Sequence, residues 1–184
     1  MGIRDQIRPN VKEDLKKLKK LGIKNLVMLS GDNQGTVDIV SKELGLTQAY
    51  GNMLPEDKSA YIKKLIETDK QIVAFVGDGV NDSPSIALAN IGIAMGSGTD
   101  IAIETSDVVL MNSDFSLLPH ALGLTKATAR NMKQNILIAV GVVFFLLASV
   151  FFSKWMNMSI GMLVHEASIL VVILNGMRLM SYKL

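Results

Sequence analysis

No cysteine occurs among the 184 residues, which removes a disulfide framework, a thiolate metal site and a cysteine nucleophile together. An excess of charge is missing too. Nineteen Lys and Arg stand against 17 Asp and Glu, a net charge of +2, too small and too evenly spread for a nucleic-acid partner. The opening Met1-Gly2-Ile3-Arg4-Asp5 lacks the apolar core of a secretory leader, and the chain has no internal repeat. What is present is a split composition. The averages of 49% hydrophobic and 20% charged residues conceal a mixed, well-charged stretch to about Asn135 and an almost wholly apolar one from Ile136 onward. Disorder and collagen-like or low-complexity structure are excluded. The length fits one domain, or a small domain with an appendage.

Ile136 to Phe152 is a charge-free run of 17 residues. Spanning a bilayer takes about 20 residues, with a lower limit of roughly 17 that Ser153 and the flanks extend. Ser153-Lys154-Trp155-Met156-Asn157 follows as a short polar link, its tryptophan suited to the membrane interface. A second run extends from Met158 to about Met180, interrupted by His165, Glu166 and, near its end, Arg178. Arg130 and Lys133 precede the first run, while Arg178 and Lys183 close or follow the second. That distribution predicts a membrane hairpin with both outer ends cytoplasmic.

Glu166 is out of place in such a segment, because a carboxylate at the centre of a spanning helix costs about 2.5–3.5 kcal/mol on the gentler insertion scale. His165 lies about 100° away round the helix, and Ser168 falls within a turn of both. Imidazole and carboxylate together suit zinc, iron(II) or cobalt(II). The alternative is a histidine or glutamate hydrogen-bonded to a neighbouring helix.

The first 135 residues alternate helix and strand signals. Val11 to Leu21 reads as an amphipathic helix ended by Gly22, and Asn25 to Leu29 as a short strand. Ser30-Gly31-Asp32-Asn33 then turns into a helix to about Leu44, stopped by Gly45. Pro55 to about Thr68 is a further helix. Ile72 to Val76 is a strand whose unbroken apolar run predicts burial on both faces. Gly77 to Ser83 forms a loop, with Pro84 in the first turn of the next helix. Ile91 to Met95 and Val108 to Met111 add two strands around a short helix near Thr99 to Glu104. The expected fold is α/β: a parallel sheet covered by helices, with its site at the carboxyl ends of the strands. A helix over Phe115 to Asn135 leads into the membrane. The expected domains are 1–114, a linking helix 115–135, and a helical hairpin over 136–180, spanning at about 136–153 and 158–180.

Three polar groups lie where such a site forms. The Ser30 hydroxyl and Gly31 amide can donate to a phosphoryl oxygen, and Lys58 supplies a positive charge for it. Gly77-Asp78-Gly79-Val80-Asn81-Asp82 sets two carboxylates four residues apart among glycines. Mg²⁺ takes one or two carboxylates and keeps several waters, so Asp78 is its natural ligand. Asp82 is either a second ligand or a helix cap holding the loop. Each group also has a plain structural alternative: a helix cap for Ser30, a solvated face for Lys58, an ordinary turn for the aspartates. Their succession, each at the end of a strand or helix, favours one pocket in which Ser30, Lys58 and Asp78 converge.

Leu29-Ser30-Gly31-Asp32-Asn33, Leu54-Pro55-Glu56-Asp57-Lys58, Gly77-Asp78-Gly79-Val80-Asn81-Asp82-Ser83-Pro84 and Ala94-Met95-Gly96-Ser97-Gly98-Thr99-Asp100 resemble consecutive signatures of the P-type ATPases. The aspartate loop is shared with soluble phosphatases of the haloacid dehalogenase superfamily; the full string followed by two spanning segments is far more specific. Leu174-Asn175-Gly176-Met177-Arg178-Leu179 resembles the usual ending of the heavy-metal branch. His165-Glu166-Ala167-Ser168 is similar to the motif of its cobalt, zinc and iron(II) class, departing from that motif at Ala167 and Ile169. The resemblance implies a partial haloacid-dehalogenase-like phosphorylation domain and the last two membrane helices of a metal exporter. Ser30, Gly31, Asp32 and Lys58 would hold the phosphoryl group, Asn81 would tie the loop to it, and Asp78 with Asp82 would hold Mg²⁺. His165, Glu166 and Ser168 would meet the transported zinc, cobalt or iron(II). ATP would be bound mainly by a separate nucleotide-binding domain. The implied location is a bacterial plasma membrane, with the amino-terminal domain and carboxyl terminus cytoplasmic.

The Asp-Lys-Thr-Gly motif that carries the family's nucleophile occurs nowhere in the 184 residues. The expectation is a C-terminal fragment whose partner is the remainder of the ATPase, and which is catalytically incomplete alone. A membrane-tethered phosphatase would need an Asp-x-Asp motif, which is also missing. A non-catalytic modulator of an intact pump is the other alternative.

Overall fold

The computed structural model describes residues 7–96, 99–152 and 157–183. It divides into two compact units, Met1–Pro119 and His120–Leu184. In the first, α1 (Val11–Lys20) buries Leu15 and Leu18 together with Asp14, whose carboxylate accepts from Lys17 Nζ at 2.8 Å. The helix stops where the sequence indicates, Gly22 taking φ +95°. Next come β1 (Val27–Leu29) and α2 (Gln34–Leu44). The cap of α2 is Asn33, not Ser30: its Oδ1 accepts from the Thr36 amide at 2.9 Å. Gly45 ends α2 with φ +69°.

The strand β2 (Gln48–Tyr50) has no apolar run to announce it. It exists through backbone pairing, parallel to β1 with Val27 opposite Gln48 and Leu29 opposite Tyr50. Then follow α3 (Pro55–Glu67), β3 (Ala74–Gly77), a 3₁₀ turn over Val80–Asp82, and α4 (Ser83–Leu88). β4 (Ile91–Met95), α5 (Asp100–Glu104) and β5 (Val108–Leu110) complete the unit. Every strand pair is parallel, as expected for this fold class, but the strands form two sheets, β1-β2 and β3-β4-β5.

β4 is central in the larger sheet. Its Ile93 and Met95, with Leu110, form a buried cluster against which Val76 and Leu118 pack. The expectation for Ile72–Val76 is corrected here. The strand begins at Ala74, Ile72 is 85% exposed, and Ala74 is exposed as well. Ile72 precedes the paired segment, which begins with Ala74 opposite Ile91, and among the described residues β3 is an edge strand paired only with β4.

In the second unit the expected linking stretch and the first apolar run are one unbroken helix, α6 (Leu117–Phe152), of 36 residues. At 1.5 Å per residue it is about 54 Å long, well beyond the thickness of a hydrocarbon core. α7 (Met158–Met177) starts at Asn157, which accepts from the Ile160 amide at 3.0 Å, and ends in a 3₁₀ turn over Arg178–Ser181. Both helices are long and apolar enough to cross a membrane. Ser153 to Met156 of the polar link, Ser97, Gly98 and the opening Met1 to Gln6 lie outside the described residues.

Two outcomes follow from this packing. A Cβ at Gly92 would sit 2.5 Å from the Ile86 carbonyl oxygen. Gly92→Ala is therefore expected to cost roughly 1–3 kcal/mol, measured as faster amide hydrogen exchange across β3, β4 and β5 in the detergent-solubilised chain. Tyr61 donates to Gln48 Oε1 at 3.1 Å, tying α3 to β2. Burial first, then Tyr50, pushes its phenol up to about 12. A pKa raised by folding stabilises fully below the unfolded value near 10 and is lost through 12. Alkaline titration of the chain should therefore destabilise this attachment between about pH 10 and 12, and Tyr61→Phe should remove that step.

Candidate functional site

The carboxyl end of β3 is shaped by a glycine. A Cβ on Gly77 would lie 2.6 Å from Asp82 Cβ, so only the bare backbone lets the Asp82 side chain fold back against the strand end. From there Asp82 Oδ1 accepts from Lys58 Nζ at 2.8 Å, with 13% of the lysine side chain and 16% of the aspartate side chain exposed. Lys58 reaches this point from the first turns of α3. That turn is set by Pro55 and by Asp57, whose carboxylate accepts from the Leu54 amide at 3.0 Å. A second tie runs alongside, between the hydroxyls of Ser59 on α3 and Ser85 on α4 at 3.3 Å.

Asp78 occupies the next position beyond the strand and is exposed. It lines an open cleft of about 350 Å³ with Asp82, Gly77, Val76, Met95 and Arg8. The Asp78 carbonyl accepts from the Thr99 amide at 3.2 Å, which fastens this loop to the start of α5. Asn81 is exposed on the 3₁₀ turn. Of the two alternatives for Asp82, a helix cap is excluded: it precedes α4, but its side chain makes no cap bond and pairs with Lys58 instead.

Ser30 sits elsewhere, at the end of β1 in the two-stranded sheet. Its hydroxyl donates to Asp32 Oδ2 at 2.9 Å and accepts from the Asp32 amide at 3.2 Å. Ser30 and Lys58 do not line the cleft of Asp78. The expected convergence of Ser30, Lys58 and Asp78 is therefore realised only in part: Lys58 joins the aspartate loop through Asp82, and Ser30 does not. The reason is the split sheet, since Ser30 and Asp78 end strands that share no ladder. The connection that exists is indirect. The Met53 amide donates to the Ser30 carbonyl at 3.0 Å and the Asn52 amide to the Asp32 carbonyl at 2.6 Å, fixing the Ser30 turn to the segment that opens α3.

Gln34 and Gly51 complete that junction, and no motif in the sequence marks them. Gln34 Nε2 donates to the Ala49 carbonyl at 3.2 Å, and its Oε1 accepts from the Gly51 amide at 2.7 Å. A Cβ on Gly51 would meet the Asp32 carbonyl at 2.8 Å. The glycine between Tyr50 and Pro55 is the available signal, because close backbone approach demands one.

On α7, His165 and Glu166 are both exposed. The Ser168 hydroxyl donates to the His165 carbonyl at 2.6 Å, a bond within the helix. No group of three or more His, Cys, Asp or Glu assembles among the described residues, so these side chains by themselves are an incomplete coordination set.

The Lys58–Asp82 pair yields a stability test. Its partial burial places it between exposed pairs and buried ones, so Lys58→Ala or Asp82→Ala should each cost about 1–3 kcal/mol. The double substitution should cost less than the sum, because no charge is left unpaired; thermal unfolding of the four proteins in detergent closes the cycle.

Comparison with known proteins bears on these features together. The sequence profile of the haloacid dehalogenase-like hydrolases matches residues 1–90. The zinc-transporting ATPase of Bacillus subtilis (strain 168) is 42% identical over 180 residues, covering 98% of this chain and 28% of that protein. The cadmium-transporting ATPase of Staphylococcus aureus is 40% identical over 184 residues, covering all of this chain and 25% of that protein. A crystal structure of a zinc-transporting PIB-type ATPase superposes with a TM-score of 0.84 at 36% identity, covering 96% of this chain and 28% of that one. The chain thus spans about a quarter of the length of the relatives it matches. Because the similarity runs through the α/β unit and on through both apolar helices, the chain belongs to the heavy-metal P-type ATPase family.

Proposed function

We propose that this chain is the C-terminal part of an ATP-driven exporter of a divalent heavy metal. In this reading residues 1–114 are part of the phosphorylation domain, 115–135 the linking helix and 136–180 the membrane hairpin. The observation that carries the reading is the run of one helix, α6, out of the unit that holds the aspartate cleft and into an apolar segment of spanning length.

The donor set fits Mg²⁺. Asp78 offers an exposed carboxylate to an open cleft, and Asp82 lines the same cleft with one oxygen engaged by Lys58. A hard cation that keeps most of its waters needs no more than that. When bound, Mg²⁺ would neutralise charge on the transferring phosphoryl group. Lys58, held by Asp82, would add a positive charge at the same end of the sheet, and the exposed Asn81 would orient a phosphoryl oxygen. Ser30, the Gly31 amide and Asp32 would donate to and order the opposite side of that group once the two sheets are bridged.

The bridge is the strand that bears the acceptor aspartate. Among the described residues β1 and β3 each keep one unpaired edge, and the Asp-Lys-Thr-Gly motif is missing from the sequence. The remainder of the ATPase would supply both the strand and the nucleophile, along with the nucleotide-binding domain. His165, Glu166 and Ser168 would contribute part of the ion path, completed by other helices. Imidazole with carboxylate favours zinc, cobalt or iron(II) over a soft monovalent ion. The setting is a bacterial plasma membrane with both outer ends cytoplasmic, as the flanking Arg130, Lys133, Arg178 and Lys183 favour.

Labelled ATP should leave no acid-stable phosphate on the purified 184-residue chain; stoichiometric labelling would overturn the proposed incompleteness. Hydrolysis of a generic phosphate ester by the chain alone would favour a tethered phosphatase instead. In the assembled ATPase, Asp78→Asn should reduce metal-dependent ATP hydrolysis by about 10²-fold or more. His165→Ala with Glu166→Ala should abolish metal stimulation while phosphorylation from inorganic phosphate persists. Full metal stimulation in that double variant would remove the ion site from α7.

A further inference from the structure

Beyond Gly123 the second unit contains one buried residue among those described, and it is polar: Asn131, 8% exposed. It lies on α6 just before the apolar run, and both ends of its amide are engaged. Nδ2 donates to the Asn175 carbonyl of α7 at 2.6 Å, and Oδ1 accepts from Asn135 Nδ2 at 3.1 Å. Asn175 closes the arrangement. Its Nδ2 donates to Asn135 Oδ1 at 2.8 Å and to Gln134 Oε1 at 3.3 Å, while its Oδ1 accepts from Arg178 Nη1 at 3.1 Å.

The Asn175 carbonyl is one of the last four of α7, which lack α-helical partners within their own helix. At a membrane border such an acceptor has little water to turn to, so a side chain from another helix is its natural partner. No residue of α7 is fully buried, and none is in the apolar window of α6; Ile138, Val142 and Leu146 of α6 and Val164 and Val172 of α7 are half-buried. The amide cluster adds directed bonds between the two helices, at the one place beyond Gly123 where a described side chain is fully buried.

We propose that Asn131, Asn135 and Asn175 are positioning residues: a clasp that fixes the end of α7 to α6 at the cytosolic border and makes the two helices move as one body. The inference rests on the transporter reading above. His165 and Glu166 lie ten and nine residues before Asn175, about 15 and 14 Å along α7. With the clasp closed, a displacement of α6 at the border reaches that level of α7 as a rotation or shift of a rigid pair. With it open, α6 slides past α7 and the displacement is lost.

The absence of cysteine permits a direct test. Phe144 on α6 and Met162 on α7 are exposed, and each lies thirteen residues from a clasp residue, about 20 Å away. Spin labels on Phe144→Cys and Met162→Cys in the full chain, reconstituted in lipid nanodiscs, should give one narrow distance distribution. Asn131→Leu should broaden it, and so should Asn175→Asp, which keeps size and the Arg178 contact but removes both donors. An unchanged distribution in both variants would overturn the clasp. In the assembled ATPase the same variants should lower zinc-stimulated turnover about tenfold, with phosphoenzyme formed from inorganic phosphate held within about twofold. Equal loss of both would mark the residues as merely structural and overturn the positioning role. If the unsubstituted ATPase shows no metal-stimulated turnover, the transporter reading fails, and the distance distribution alone then decides the clasp.

Discussion

The ion pair between Lys58 and Asp82 is the constraint around which the α/β unit is organised. It joins the first turns of α3 to the loop after β3 across 24 positions of sequence, at 2.8 Å and largely out of water. Charges so placed hold a fixed geometry, because separating them inside a partly desolvated site leaves each without a solvent shell. The pair needs Gly77, since any side chain there would displace Asp82. It needs Pro55 and Asp57 as well, which set the first turn of α3 and so the place from which Lys58 extends. Asp78 then lines the cleft beside a carboxylate already paired with a lysine.

Much of this is legible in the residues, and the failures have a common cause. Gly22 and Gly45 end helices where the sequence indicates, and Ile91–Met95 is a strand with the expected bounds. These features depend on local backbone preference or on a core that the chain itself contains. β2 escapes a reading of the sequence because Gln48-Ala49-Tyr50 carries no apolar pattern and is a strand only by virtue of its partner β1. Ile72–Val76 misleads for the opposite reason: the apolar pattern is there, but Ile72 falls before the paired segment. Among the described residues β3 pairs on one side only, with β4. Ser30 fails to join Asp78 for the same topological reason. The Lys58–Asp82 contact carries no local signal, because pairing across two elements is decided by the fold and not by spacing.

The apolar half divides along the same line. Length and hydropathy are enough to mark both helices, and the charges at their outer ends to suggest an orientation. That α6 continues unbroken through the expected linker follows from its content, which is free of proline and glycine for long stretches after Gly123. The amide cluster of Asn131, Asn135 and Asn175 has no such signature, although Asn175 belongs to a motif-bearing stretch. Three polar residues at the ends of apolar runs read as ordinary membrane-border residues until the two helices are set side by side.

The open sides of β1 and β3 have a further consequence for the molecule in isolation. A row of unsatisfied main-chain donors and acceptors along a short parallel strand is an adhesive surface, and these two strands carry Val27, Met28, Leu29, Phe75 and Val76 without intervening lysine or proline. Such edges incline the chain to recruit a second molecule edge to edge, so that self-association and loss of solubility come from its α/β unit as much as from its apolar helices.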